Sequence, residues 1–209
     1  MMTDIKTDIL KNVSRETLEN LKIYQNLLCE WQKKINLVSK NSLVNAWERH
    51  FLDSAQIASY VRKDAKSVYD FGSGAGFPAL VLATIFKEIN PETHFVLIES
   101  ITKKTLFLNE VIKKLDLNAD VMNDRIEKLK LNPADYITAR AVTNLSDLLK
   151  YSVGFCRKNT ICLFPKGKNY EQELIQAQNK WTFWCKTHQS KVADDGVILE
   201  IKNLRRKRL

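Results

Sequence analysis

A glycine-rich turn after a short apolar run is the feature that most restricts how this chain can fold. In the stretch VYDFGSGAGFP, residues 68–78, the apolar run ends at Asp70 and glycines follow at 72, 74 and 76. The whole chain of 209 residues has only 6 glycines, so their concentration here indicates a backbone requirement. Glycine adopts positive φ without steric cost and lets a ligand approach the backbone closely. Such a turn between a strand and a helix predicts the ligand-binding edge of an open α/β sheet.

After about residue 66, short apolar runs alternate with helical patterns, which predicts a mostly parallel sheet with helices on both faces. We predict strands near 67–71, 94–99, 119–123, 135–140, 160–164, 182–188 and 197–203, and helices near 77–89, 103–116, 144–156 and 169–181. The last two strands are separated only by the polar turn KVADDG. We therefore expect them to pair as an antiparallel hairpin at the sheet edge.

Residues 14–62 have a helical pattern, with apolar residues at steps of three or four. These residues are Leu18, Leu21, Tyr24, Leu28, Trp31 and Ile35. We interpret this stripe as a core-facing surface. The expected organisation is a helical N-terminal extension, residues 1–62, followed by the sheet domain, residues 63–209.

Composition excludes several classes of protein. No apolar stretch reaches the roughly 20 residues that span a bilayer, and the N-terminus has no signal-peptide core. The 4 cysteines form no CxxC pair and only 3 histidines are present, which argues against a disulfide framework or a metal site. We expect a cytoplasmic protein without a metal or a membrane partner. The balance of 33 basic and 24 acidic side chains, a net charge of +9, favours a polyanionic partner, although it also serves solubility alone.

The spacing within the glycine turn separates the candidate cofactors. A dinucleotide fingerprint needs a third glycine where this chain has Phe77, and the Gly-Lys-Ser/Thr of a phosphate-binding loop is missing. The spacing D-x-G-x-G-x-G suits a cofactor with an amino-acid end, whose ammonium group would lie near Asp70. Glu99 ends the next strand, where an acid accepts hydrogen bonds from ribose hydroxyls. Together with the edge hairpin, this favours S-adenosylmethionine, with a nicotinamide-binding module as the main alternative.

The residues at the end of the fourth predicted strand restrict which kind of atom can accept the methyl group. Exocyclic amines of bases are usually methylated beside an Asn/Asp-Pro-Pro-aromatic corner, whereas this chain has Thr-Ala-Arg-Ala at 138–141. Methylation of a pyrimidine carbon needs a cysteine nucleophile, and Cys162 lies in a predicted buried strand. A ring nitrogen such as guanine N7 needs neither device, because its own lone pair attacks the sulfonium methyl once the base is positioned.

Seven blocks in order resemble the bacterial 16S ribosomal RNA guanine-N7 methyltransferase family, once called glucose-inhibited division protein B, whose target lies in the 530 loop. The blocks are W-x-x-x-I-N-L-V-S at 31–39, R-H-F-L-D-S at 49–54, D-F-G-S-G-A-G-F-P at 70–78, E-S-x-x-K-K at 99–104, D-R-I-E at 124–127, A-R-A-V at 139–142 and P-K-G at 165–167. The resemblance implies a class I, Rossmann-like methyltransferase with a seven-stranded, mostly parallel sheet. The implied cofactor is S-adenosylmethionine, and the implied partner is 16S ribosomal RNA or the small-subunit particle. Apart from the resemblance, we expect a monomer.

The resemblance also implies roles for individual residues. Cofactor binding falls to Gly72, Gly74, Phe77, Glu99, Ile126, Glu127 and Arg140. Arg140 would also position the guanine through O6, because a proton given to N7 would block attack; no general base is expected. RNA contacts fall to Lys103, Lys104, Arg125 and Lys166. The plain alternative for these four cations is a solvated surface charge, and for Arg140 it is a strand-end salt bridge.

Three features remain open at this point. His50 and Asp53 lie three apart on one helical face, where they could bond each other as a lid or join the extension to the sheet; we assign no catalytic role to His50. Trp47 is expected in the core. The basic end, Lys202 and residues 205–208, is either an RNA contact or a solvated terminus.

Two alternative functions remain. One is a methyltransferase acting on a protein or small molecule, and the other is a non-enzymatic nucleotide- or RNA-binding module.

Overall fold

The computed structural model describes residues 9–11 and 13–207. A seven-stranded sheet in the order β3-β2-β1-β4-β5-β7-β6 forms its centre. The strands are β1 (Ser67–Phe71), β2 (His94–Ile98), β3 (Ala119–Met122), β4 (Tyr136–Ala139), β5 (Ile161–Lys166), β6 (Trp181–Gln189) and β7 (Val197–Arg206). Strand β7 pairs antiparallel with both β5 and β6, and the other pairs are parallel. The predicted mostly parallel sheet with an antiparallel edge hairpin is confirmed.

Seven α-helices and several short 3-10 and π-helical segments accompany the sheet in the described part of the chain. The α-helices are α1 (Arg15–Gln32), α2 (Lys40–Val44), α3 (Asp53–Ala55), α4 (Ala79–Ile89), α5 (Thr102–Leu115), α6 (Leu145–Ser152) and α7 (Tyr170–Gln178). Around α3 the chain is a π-helix over Trp47–Leu52 and a 3-10 helix over Gln56–Tyr60. We call residues 47–60 the mixed helical segment. No helix among the described residues is long and apolar enough to cross a bilayer.

The N-terminal helical region contains a break that no glycine or proline signals. Helix α1 ends at Gln32, and residues 33–39 form turns and bends. The Gln32 side chain closes this loop, because its amide group donates to the Val38 carbonyl at 2.9 Å and accepts from the amides of Leu37 and Val38 at 2.9 and 3.0 Å. One side chain thus replaces the backbone hydrogen bonds that a helix would have supplied.

Apolar residues pack on both faces of the sheet, as the alternating pattern predicts. Helices α1, α4 and α5 share one core, in which Leu21, Tyr24 and Leu28 of α1 are fully buried. Helix α6 and the inner side of α7 cover the opposite face. The predicted apolar stripe of α1 therefore faces the core. Because α1 shares this core with the helices of the sheet, the division of the chain at residue 62 stays a prediction.

The topology brings the loops of interest to one edge of the sheet. Strand order reverses between β1 and β4, and in open α/β sheets ligands bind beyond the carboxyl ends of strands at such a switch point. Because β7 runs antiparallel, its first residue, Val197, lies opposite Lys166 at the end of β5. The turn between β6 and β7, residues 190–196, therefore reaches the same edge as the glycine turn.

Candidate active site

A cavity of about 740 Å³ opens at this edge, within the size range of small-molecule and cofactor sites. Its walls come from the glycine turn, the mixed helical segment, the ends of β4 and β5, and the β6–β7 turn. Six of the predicted site residues line it: Gly72, Gly74, Phe77, Lys104, Arg140 and Lys166. The structure therefore brings the centre of the predicted site together.

The three glycines of the turn all have positive φ, at 62°, 56° and 88° for Gly72, Gly74 and Gly76. A Cβ at Gly72 would lie 2.8 Å from Val142 Cγ2, and one at Gly76 would lie 2.7 Å from the Tyr24 hydroxyl oxygen. At Gly74 the nearest atom would be the Gly72 carbonyl oxygen at 3.8 Å, so that position faces open space. Packing thus requires glycine at 72 and 76, while Gly74 leaves room for a ligand beside the backbone.

Neighbouring elements fix the shape of the glycine turn. The fully buried Tyr24 of α1 donates a hydrogen bond from its hydroxyl to the Ala75 carbonyl. The Ser73 amide donates to the Ile98 carbonyl at the end of β2, at 3.1 Å. The Gly74 amide donates to Glu99 Oε2 at 2.8 Å. The turn is therefore held from the helical extension on one side and from β2 on the other.

Asp70, at the head of the turn, is fully buried and has a free acceptor atom. Its Oδ1 accepts from the Thr138 hydroxyl at 2.7 Å, whereas its Oδ2 has no hydrogen-bond partner among the described residues. Burial raises the pKa of this carboxyl to about 6, partly offset by hydrogen bonds and by Arg140. An unpaired buried carboxylate oxygen fits a cationic or N–H donor of a ligand, as the ammonium end of S-adenosylmethionine would supply.

Glu99, the predicted ribose ligand, is almost fully buried and supports the backbone. Its Oε2 accepts from Gly74, and its Oε1 accepts from the Ile101 amide at 2.8 Å. Each carboxylate oxygen has a second acceptor site, so Glu99 keeps the capacity to receive a hydroxyl donor. The sequence did not reveal that this residue also ties the glycine turn to β2.

Ile126 and Glu127 lie in a 3-10 helix, Ile126–Lys128, which follows β3 at the same sheet edge. Ile126 is buried in the second core and Glu127 is exposed. Neither residue is among those that line the cavity, and Asp70 and Glu99 are not among them either. The structure therefore places the predicted adenine side next to the cavity rather than within it.

Arg140 follows β4 and is held by the mixed helical segment. Its Nη1 donates to the Arg49 carbonyl at 3.0 Å and to Asp53 Oδ2 at 3.3 Å, and its Nη2 donates to His50 Nδ1 at 2.9 Å. The guanidinium also lies over the Phe77 ring, 5.1 Å from its centroid. Two of its five N–H groups, Nε–H and one Nη2–H, have no partner among these contacts. The R-H-F-L-D block thus anchors Arg140 and leaves part of it free to bind a ligand.

The His50 and Asp53 side chains bind Arg140 and do not bond each other. Burial, reinforced by the Arg140 charge, lowers the pKa of His50 to about 4, so the imidazole is neutral at pH 7. Since Nδ1 accepts from Arg140, Nε2 carries the proton, and this buried atom has no hydrogen-bond partner in the part of the chain that the structure describes. Burial raises the pKa of Asp53, whereas Arg140 and Gln56 favour its charged form.

Aromatic rings surround Phe77. Its side chain is buried and stacks on Tyr24, with 5.4 Å between centroids, and on His50, at 4.9 Å. Trp47 stacks on Phe51 at 5.3 Å and packs against the first core, as expected. The Phe77 ring therefore forms the floor under Arg140.

The four predicted RNA-binding cations have different surroundings. Lys103 and Arg125 are exposed, and Lys104 is half-buried and lines the cavity. In contrast, the Lys166 side chain is 11% exposed and donates to Glu173 Oε2 at 2.7 Å and to the Thr143 carbonyl at 3.0 Å. The charge of Lys166 is therefore paired inside the cavity wall, while the other three side chains reach solvent.

The described basic residues near the C-terminus and Cys162 lie away from the cavity lining. Lys202 lies over the Trp184 ring at 4.9 Å and pairs with Glu200, and residues 205 and 206 belong to the end of β7. Arg208 is outside the described residues. Cys162 is buried in β5, as expected of a core thiol. Among the residues that the structure describes, no group of His, Cys, Asp and Glu is arranged to hold a metal ion.

Sequence comparison identifies relatives over most of the chain. The family GidB, rRNA small subunit methyltransferase G, matches residues 17–198. Ribosomal RNA small subunit methyltransferase G from Rhodospirillum centenum is 42% identical over 92% of this chain and 87% of its own length. The protein of the same name from Bartonella henselae is 41% identical over 94% of this chain and 92% of its own length.

Solved structures share the fold at low sequence identity. The O-methyltransferase from Bacillus cereus in complex with SAH has a TM-score of 0.59 and 14% identity, covering 94% of both chains. TYW2 from M. jannaschii in complex with AdoMet has a TM-score of 0.58 and 18% identity, covering 84% of this chain and 80% of that one. The predicted class I methyltransferase fold is thereby confirmed.

Proposed function

Since the chain belongs to the rRNA small subunit methyltransferase G family, we propose that it transfers a methyl group from S-adenosylmethionine to N7 of a guanine in the 530 loop of 16S ribosomal RNA. The observation that carries the choice of acceptor atom is Arg140, a fixed guanidinium with free N–H groups beside the glycine turn. No cysteine lines the cavity in the described part of the chain, so a carbon acceptor that needs a nucleophile is disfavoured.

The glycine turn and its neighbours are proposed to hold the cofactor. The Gly72 and Gly74 backbone would contact it, with the Gly74 position open toward the ligand. The unpaired Asp70 Oδ2 suits the ammonium group, and Glu99 suits the ribose hydroxyls. Ile126 and Glu127 would flank the adenine from the loop after β3, and Phe77 would close the floor. When bound, the cofactor supplies an electrophilic sulfonium methyl.

Arg140 is proposed to orient the acceptor base. Its two remaining N–H donors match the O6 acceptor of guanine, which lies beside N7 on the same edge of the base. Bonding to O6 leaves the N7 lone pair free to attack the methyl. No general base is required, because N7 carries no proton to remove. The enzyme's contribution is therefore orientation and exclusion of water, both of which follow from a fixed side chain in a cavity.

We propose that Lys103, Lys104 and Arg125 contact RNA phosphates around the cavity. Lys104 is half-buried in the cavity wall and the other two are exposed, so all three reach solvent and can release counterions when RNA binds. Lys166, paired with Glu173, is proposed to contribute to the shape of the wall more than to phosphate binding. We further propose that the enzyme acts as a cytoplasmic monomer, on the RNA or on the small-subunit particle, with residues 1–62 as its helical extension.

The test uses tritiated S-adenosylmethionine with unmodified small-subunit RNA and with small-subunit particles, followed by digestion and identification of the labelled nucleoside. Label in 7-methylguanosine at one site of the 530 loop would support the proposal. Label in another nucleoside would contradict the assigned acceptor atom. Cofactor binding by calorimetry without label in any RNA would contradict the assigned substrate and direct the search to a protein or a metabolite.

A further inference from the structure

Gln56 connects two walls of the cavity that are far apart in sequence. The side chain is 4% exposed and follows α3 in the mixed helical segment. Its amide nitrogen donates to Asp53 Oδ1 at 2.9 Å and to the Ser190 hydroxyl at 3.1 Å. Its amide oxygen accepts from the Lys191 backbone amide at 2.9 Å. All hydrogen-bonding groups of this side chain are therefore used for contacts, and two of these contacts reach the β6–β7 turn.

The β6–β7 turn depends on the same atoms for its own shape. The Ser190 hydroxyl accepts from the backbone amides of Val192 and Ala193, both at 3.1 Å. Residues of this turn, among them Ser190, Val192 and Ala193, line the cavity. Gln56 thus holds the turn at its first two residues, where the turn becomes a wall of the cavity.

On its other side Gln56 holds the group that anchors Arg140. Asp53 uses Oδ1 for Gln56 and Oδ2 for the Arg140 guanidinium. A continuous series of hydrogen bonds, which we call the Gln56 bridge, therefore joins Ser190, Gln56, Asp53 and Arg140. Turns and long side chains both have many accessible conformations, so two walls made of them need a common support to keep a fixed separation.

We infer that Gln56 is a positioning residue: through the Gln56 bridge it sets the distance between the β6–β7 turn and Arg140, and so the width of the cavity end that receives the acceptor base. This inference rests on the proposed function, because a purine extruded from single-stranded RNA is the occupant. A glutamine-length amide fits all of these contacts, since the Asp53 carboxylate needs a donor while the Lys191 amide needs an acceptor. Glutamate lacks the donor, and methionine lacks both.

The test compares Gln56→Met with Gln189→Met. Gln189 also bonds the turn, donating to the carbonyls of Asp194 and Gly196, and the hydrogen bonds of its side chain within the described part of the chain stay inside the β6–β7 hairpin. Amide hydrogen exchange should rise at Lys191, Val192 and Ala193 in Gln56→Met, and the NMR signals of the Arg140 guanidinium should broaden as its anchor loosens. In Gln189→Met the Arg140 signals should match wild type. Unchanged Arg140 signals in Gln56→Met would overturn the inference, whatever the substrate is.

Kinetics test the consequence of this coupling. In Gln56→Met we expect kcat on RNA to fall about tenfold, as small misplacements of reacting groups do, with the Kd for S-adenosylmethionine unchanged. In an Arg140→Lys background the same change should have little further effect, since the anchored group is already lost. If Gln56 had a purely structural role, the losses of kcat in the two variants would add and the cofactor would bind more weakly. That result would contradict the positioning role.

Two further outcomes are distinguishable. If wild-type enzyme labels no RNA, the proposed function fails, while the exchange and NMR results still decide whether the Gln56 bridge couples the two walls. If Gln56→Met does not fold, Ser190→Ala removes the bond to Gln56 from the side of the turn. Broadened Arg140 signals in Ser190→Ala would support the coupling, and unchanged signals would contradict it.

Discussion

At the scale of single residues, the shape of the candidate active site depends on side chains that hold the backbone of the glycine turn and the Arg140 guanidinium in place. Tyr24 is the clearest case, because it belongs to the apolar stripe of α1 and yet bonds the carbonyl of Ala75 inside the glycine turn. A sequence pattern shows such a residue only as apolar and periodic. Its polar function becomes visible only when the turn is packed against α1.

Replacing Tyr24 by phenylalanine tests this support. The Ala75 carbonyl would lose its buried partner, so we expect the free energy of unfolding to fall by about 1–2 kcal/mol. Cofactor affinity should fall severalfold because the turn loses one of its fixed points. Denaturant unfolding and calorimetry measure the two effects. Tyr60→Phe is the matched control, since Tyr60 contacts the His188 ring and lies outside the cavity lining. Equal effects in both variants would contradict the assigned support.

The glycines of the turn give a second prediction, in which the effect of a substitution on stability differs from its effect on cofactor affinity. Gly74→Ala meets open space and should lose only the cost of positive φ, about 1–2 kcal/mol. Gly72→Ala must also displace Val142 and should lose more stability. Cofactor affinity should nevertheless fall about tenfold or more in Gly74→Ala, because the new methyl group fills the ligand's space. Gly154→Ala, also in open space and without positive φ, is the control. Cofactor affinity in Gly74→Ala equal to that of Gly154→Ala would contradict the assigned approach.

At the scale of elements, the lysine at the start of α5, Lys104, lines the cavity and reaches solvent, whereas the lysine at the end of β5, Lys166, is paired with Glu173. Lys104→Gln should reduce the slope of log affinity for RNA against log salt concentration by about one, as loss of one phosphate contact does. Lys166→Gln should change that slope less, because Lys166 is already neutralised by Glu173. Lys158→Gln, an exposed lysine that precedes β5 at the opposite sheet edge, is the control. Equal slopes for Lys104→Gln and Lys158→Gln would contradict the assigned RNA face.

The elements themselves were largely predictable, because the chain alternates apolar strands and helical patterns from β1 onward. All seven strands lie within a few residues of their predicted positions. The break after α1 was not predictable, since it depends on one glutamine side chain and on no glycine or proline. The glycine turn was predictable from spacing alone. The partners of Arg140 were not, because Arg49, His50 and Asp53 approach it only when the extension folds against the sheet.

At the scale of the whole molecule, the N-terminal helical region helps to build the site, since it provides one support of the glycine turn, Tyr24, and the partners of Arg140. Two buried titratable groups in this contact zone have pKa values displaced in opposite directions. Burial lowers the pKa of His50 to about 4 and raises that of Asp70 to about 6. The two groups therefore have opposite effects on the pH dependence of stability.

The sign follows from which state binds the proton. Between about pH 6.5 and 4, unfolded chains protonate His50 and folded ones do not, so the neutral histidine makes stability fall as pH falls. Between about pH 6 and 4, folded chains protonate Asp70 first, so this carboxyl makes stability rise as pH falls. His50→Asn should therefore flatten the loss of stability on acidification, while Asp70→Asn should steepen it. Urea unfolding at pH 4.5, 5.5 and 7 measures both slopes, and slopes that change in the same direction in the two variants would contradict the burial of one of these groups.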